Sequence, residues 1–151
     1  MASSRINIKK GLDLPITGAP AQEIEDSTAV RHVAVMGPDY IGMRPTMAVD
    51  EGDEVKKGQL LFEDKKTAGV LYTAPVCGKV VSVNRGDKRA LLSVVIEAAG
   101  DDEIRFDEHI NTAPDQLTRE QICETLLVAG LWPAMRTRPY SKVPAPEGVP
   151  H

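Results

Sequence analysis

Between Val49 and Val83 every apolar run is short, and a corner interrupts each one. An acidic turn, Glu51-Gly52-Asp53-Glu54, is followed by Val55 and a second corner at Lys56-Lys57-Gly58. Then come Leu60-Leu61-Phe62, a charged loop Glu63-Asp64-Lys65-Lys66, and a return strand from Val70 to Thr73. Ala74-Pro75-Val76-Cys77-Gly78 closes the stretch. Glycine supplies positive φ at the tight corners, and Pro75 fixes φ where the chain changes sheet. Short strands with corners this frequent predict a small all-β sandwich or barrel.

The device recurs downstream. Val80-Val81-Ser82-Val83 leads into Asn84-Arg85-Gly86-Asp87-Lys88, an echo of the Gly52-Asp53 corner, and then into the strand Leu91 to Ile96. One hairpin cannot bury its own apolar face, whereas two stacked face to face can. Paired hairpins with Gly-Asp corners, joined by Ala74-Pro75-x-x-Gly78, resemble the biotinyl/lipoyl barrel-sandwich hybrid. That resemblance concerns a fold and names no activity.

At 151 residues the chain is long enough for one ordinary domain. Charge is mildly acidic, 18 Lys+Arg against 22 Asp+Glu, and much of the acid lies between Glu97 and Glu124. Nucleic acid would call for a basic stripe, so no nucleic-acid partner is expected. No window approaches the roughly 20 apolar residues of a membrane span. The opening Met1-Ala2-Ser3-Ser4-Arg5 is not followed by the apolar core of a secretory signal, so a cytoplasmic location is expected. Cys77 and Cys123 are isolated, and His32, His109 and His151 are scattered, so neither a disulfide nor a metal site is expected.

Along the chain, Ile6 to Gly11 alternates as a half-buried strand does, and Val30 to Met36 reads as another, with Val33 and Val35 on one face. The predicted organisation is a β domain over 1–97, an acidic linker and helix over 98–130, and a Pro-rich linker over 131–151 into a further domain. Ile104-Arg105-Phe106 is a brief edge strand or tether. Thr118 with Gln121 has the spacing of a capping box. The helix it opens is expected to bury Ile122, Leu126 and Ala129 and to stop at Gly130. Five prolines from Pro133 onward exclude a regular element there.

Seven blocks, in order, resemble one family, the A subunit of the sodium-translocating NADH:quinone reductase. They are Ile6 to Ile16, Gly18-Ala19-Pro20, Gly37 to Met47, Phe62 to Lys66, Thr73-Ala74-Pro75, Asn84 to Arg89, and Gly130 to Pro146. In that family, and in the similar C subunit of the Rnf electron-transport complex, such a segment is the N-terminal part of a longer chain. The resemblance implies a peripheral subunit on the cytoplasmic face of the bacterial inner membrane, docked on membrane subunits near the quinone-reducing end. It also implies that NADH, the flavins (FAD, FMN, riboflavin) and the iron–sulfur centre belong to other subunits. The absence of a Cys cluster and of a GxGxxG motif agrees with that expectation.

Chemistry-bearing candidates are few. Lys65 or Lys66 would be the modified residue if the chain were a lipoyl or biotinyl carrier. A swinging arm, however, needs one lysine alone at a tight turn, and Thr67-Ala68-Gly69 lengthens this loop. The simpler role for both lysines is to dock a partner. A phosphocarrier role fails because no His lies between Val33 and Ile104. Arg136, Arg138 and Lys142 form the one basic cluster along the chain, suited to acidic lipid headgroups or the acidic surface of a neighbouring subunit, although a solvated, proline-stiffened linker is the plainer role. Tyr40, Tyr72 and Trp132 are the aromatics that would suit a quinone ring, although packing is the plainer role for each. Asp13, Asp39 and Asp64 sit in turn contexts where a carboxylate caps backbone N–H groups. No catalytic residue, cofactor ligand or metal ligand is expected, and the docking residues expected are Lys65, Lys66, Tyr40, Trp132, Arg136 and Arg138.

Overall fold

The computed structural model describes Gly11 and residues 17–148. The strand expected over Ile6 to Gly11, and Asp13, lie outside the described residues. Among the described residues seven antiparallel strands form two sheets: β1 (His32–Met36), β2 (Pro45–Met47), β3 (Glu54–Val55), β4 (Leu60–Asp64), β5 (Leu71–Thr73), β6 (Gly78–Arg85) and β7 (Leu91–Ala98). One sheet runs β1-β7-β6-β3, the other β2-β4-β5. Each is built around one of the two expected hairpins, β4–β5 and β6–β7, with the remaining strands added at the edges. The fold is a barrel-sandwich hybrid.

Alternation along the strands fills the space between the sheets. Val33 and Val35 of β1 point inward, while His32, Ala34 and Met36 face solvent. Leu61, Phe62, Val70, Val80, Val94 and Ile96 are fully buried and belong to one cluster drawn from both sheets. Register along β6–β7 breaks between Val80 and Ser82 and again between Asn84 and Arg85. An extra residue at each break bends and twists the pair, which lets an eight-residue ribbon wrap the core.

Glycine is needed at two kinds of place. Gly52 (φ +99°) turns the first Gly-Asp corner. The echoing corner works differently. Gly86 has ordinary negative φ, and the left-handed residues there are Lys88 (φ 53°) and Arg89 (φ 62°). Space requires glycine at Gly37, where a Cβ would fall 2.1 Å from the Leu91 carbonyl oxygen, whereas at Gly86 it would meet only the flexible Leu92 side chain at 3.1 Å.

After β7 the chain passes beside β3. Ile104 N–H donates to Lys57 O at 2.8 Å, and the Lys57 ammonium pairs with Glu103. The tether forms one bridge and no strand. The helix α1 (Arg119–Val128) starts at the expected capping box: Thr118 Oγ1 accepts from Gln121 N–H, and Gln121 Oε1 accepts from Thr118 N–H. Its buried stripe is rotated from the expected one, with Cys123, Leu126 and Leu127 packing on the core and Ile122 exposed. The helix end approaches β5 closely. At Gly130 (φ +69°) a Cβ would fall 2.3 Å from Thr73 Oγ1, so the chain crosses β5 closely enough that only glycine fits.

The Pro-rich stretch is tied onto the β module. A single 3-10 turn, Trp132–Ala134, drops the Trp132 indole into the core at 5% exposure, and its Nε1–H donates to Pro144 O at 2.8 Å. Thr137 N–H donates to Lys142 O, and Val143 packs on the core. Trp132 is therefore an internal anchor, and its indole is not free to meet a partner.

Candidate functional site

The loop that follows β4 is assembled on a carboxylate. Asp64 is 7% exposed, and its Oδ1 accepts from Arg44 N–H at 2.9 Å and from Lys66 N–H at 3.0 Å. Lys65 N–H donates to Arg44 O at 2.9 Å, which laces the loop to the entry of β2. Buried backbone donors left without an acceptor would destabilise the turn, and Asp64 removes that penalty. Both lysine side chains remain exposed on a fixed backbone. The loop backbone is thus fastened at both lysines and only their side chains are free to move.

The two adjacent lysines serve different surfaces. Lys66 lines a narrow cleft of about 130 Å³ with Tyr40, Asp64, Thr67, Tyr72 and Lys142. Tyr72 stacks on Phe62 (centroids 4.7 Å apart, 17° between planes) and meets Tyr40 edge-on at 4.6 Å and 71°. The Arg136 guanidinium lies 4.9 Å from the Tyr40 ring centroid, a cation–π contact. Burial pushes the Tyr40 hydroxyl above its ordinary pKa despite the opposing pull of Arg136. Burial, reinforced by the Asp64 charge, pushes Tyr72 up to about 12. Both phenols are neutral at physiological pH.

Of the six expected docking residues, the structure brings three together at this cleft: Lys66, Tyr40 and Arg136, joined by Lys142. Trp132 is buried, as described above. Arg138 is exposed beside the tail and lines neither this cleft nor the groove described next. The aromatic faces are taken up by packing. The cleft beside them measures about 130 Å³, against the roughly 300–1,000 Å³ of small-molecule sites.

Lys65 faces elsewhere. It lines a groove of about 650 Å³ with Arg44, Arg85, Lys88 and Arg89, together with the apolar Pro38, Met43, Pro45 and Leu92. The cluster at Arg136, Arg138 and Lys142 is therefore not the main basic feature. The larger one is drawn from three loops spread between Arg44 and Arg89, so no local window of sequence displays it. Arg44 and Asn84 to Arg89 stand out in the sequence only as family-like blocks.

Among the described residues no group of three or more His, Cys, Asp or Glu side chains is placed to hold a metal ion. No helix of the described residues is long and apolar enough to cross a membrane. What the arrangement offers is cations and one aromatic edge held on a stiff frame.

Comparison with known proteins agrees with the fold. A family model described as the NqrA N-terminal barrel-sandwich hybrid domain matches residues 6–99, and one described as the NqrA second alpha/beta domain matches 117–151. Similar relatives include the Na(+)-translocating NADH-quinone reductase A subunit of Photorhabdus laumondii, 58% identical over 145 residues. The corresponding proteins of Yersinia pestis and Actinobacillus succinogenes are each 57% identical over 145 residues. In each case the match covers 96% of this chain and 32–33% of the relative, so the chain spans about a third of the length of these relatives. With a barrel-sandwich core, a matching block order and a family model spanning residues 6–99, the chain belongs to the NqrA family.

Proposed function

We infer that the chain serves as the N-terminal part of NqrA, the peripheral A subunit of a sodium-pumping NADH:quinone oxidoreductase. It sits on the cytoplasmic face of the bacterial inner membrane and contributes to assembly and to the quinone-reducing end of the complex. Its partners are the other subunits of the complex. NADH, flavins and the iron–sulfur centre are bound by those subunits, and this segment works by contact without making bonds. The domain assignment that goes with this reading is a β domain over 1–97, an acidic linker and helix over 98–130, and a Pro-rich linker over 131–151.

One observation carries this reading: the loop of Lys65 and Lys66 is fixed to the frame through Asp64 and Arg44 while both ammonium groups stay in solvent. Rigid presentation of charge is how interfaces gain speed and register of association. The carrier alternative at Lys65 or Lys66 has no structural observation in its favour.

The test is charge reversal in the full-length protein. Lys65→Glu with Lys66→Glu should reduce co-purification of the membrane subunits several-fold, with the melting temperature unchanged. A fall in melting of several degrees would mean that the lysines are structural, and undiminished co-purification would remove the docking role.

A further inference from the structure

The groove at the β6–β7 end has no counterpart in what the family match assigns. Its walls carry five cations, Arg44, Lys65, Arg85, Lys88 and Arg89, and no carboxylate lines it. None of the five is in an ion pair among the described residues, where the pairs are Lys57–Glu103 and Arg105–Asp107. The chain as a whole carries −4, so this concentration of positive charge runs against the average. A cleft lined by one sign of charge focuses the field and raises the local concentration of the opposite charge.

The hairpin that supplies three of the cations ends in a tight turn. Lys88 and Arg89 are the two central residues of the hairpin turn closed by Ala90 N–H to Asp87 O, and the left-handed φ that such a turn requires of both sets the two cations at its tip. It is braced by Arg85 Nη1–H to Arg89 O (3.3 Å) and Gly86 N–H to Ala90 O (2.8 Å). Beside the cations lies an apolar strip that includes Met43, Pro38, Pro45 and Leu92, the last 42% exposed.

We propose that this groove binds an acidic, partly apolar peptide segment of a partner protein. Charge and shape select that occupant. A single phosphate carries roughly −1.5 to −2 and would leave about three of the five cations uncompensated. A bilayer surface supplies many anionic headgroups but is flat, and it does not reach apolar residues that line a hollow. A segment alternating carboxylates with Leu or Ile side chains reaches both, within a volume of about 650 Å³. Lys65 belongs to both surfaces, so the Lys88 and Arg89 wall, which the docking role does not use, is the arm that separates peptide binding from docking on the membrane subunits.

The experiment uses the full-length protein and a fluorescein-labelled twelve-residue peptide of mixed Asp, Glu and Leu, with binding read by fluorescence anisotropy at two salt concentrations. Lys88→Glu with Arg89→Glu tests one wall, and Arg44→Glu with Lys65→Glu tests the other, so a variant that fails to fold leaves the second to decide. Either pair should weaken binding at least tenfold at low salt, and the salt dependence should shrink. Arg138→Glu, outside the groove, should leave it unchanged. Absence of peptide binding, or equal binding by the wall variants, overturns the proposal. It is also overturned if phosphatidylglycerol vesicles or inorganic phosphate displace the peptide and bind with the same dependence on both walls.

Discussion

Tyr72 carries its hydroxyl into the interior with no protein hydrogen-bond partner among the described residues. The ring is the useful part: it joins Phe62 to Tyr40 across the β4–β5 hairpin. Tyr72→Phe keeps the ring and removes a buried polar group, so stability at neutral pH should hold or rise by up to about 1–3 kcal/mol. The pH dependence follows from the raised pKa. Below pH 10 the phenol is neutral in both folded and unfolded states and its contribution is fully present. As pH rises toward about 12 only the unfolded state ionises, and roughly 2–3 kcal/mol is lost. Chemical denaturation between pH 9 and 12 should show that decline in the natural sequence and a flatter curve for Tyr72→Phe. The role of Asp64 as a turn cap was legible in the sequence, because capping is decided by residues close by in the chain. The separation of Lys65 from Lys66 onto two surfaces was not, since it depends on Tyr40 and Arg89 arriving from elsewhere.

At the scale of elements, short-range rules are obeyed wherever they apply. The β4, β5, β6 and β7 strands lie where alternation and corners put them, and the Thr118–Gln121 capping box forms with both bonds. What local pattern does not contain is how an element is rotated against its neighbour. Helix α1 packs Cys123 and Leu127 on the core with Leu126 and leaves Ile122 exposed, and just beyond its end Gly130 lies against Thr73. The Gly86-Asp87 corner likewise looks like Gly52-Asp53 in sequence but turns at Lys88 and Arg89, inside the bonds that Gly86 and Asp87 make to Ala90. The tail depends on one side chain. Trp132→Ala should destabilise by about 3–5 kcal/mol, the usual range for losing a buried large aromatic. It should also free residues 136–144, read as faster amide exchange at Thr137 and Ser141, whose N–H groups donate within that turn. Equal exchange rates in the two proteins would show that the tail is held by something other than the indole.

Over the whole molecule, the barrel-sandwich core was readable because its constraint is repeated: strand, corner, strand, with the apolar face recurring every second residue. The surfaces that the core organises were less readable. The cation-lined groove gathers Arg44, Lys65 and the β6–β7 hairpin from three separated loops. Only closure of the two sheets brings them side by side. Both surfaces share one physical logic, in which a stiff β frame fixes charged side chains in space and association does the rest. A covalent arm on Lys65 or Lys66 would replace that logic with carrier chemistry. Intact-mass measurement of the full-length protein from its native source, with peptide mapping across Leu60 to Thr73, separates the two most directly. The account predicts unmodified Lys65 and Lys66, and a lipoyl or biotinyl mass on either would contradict it.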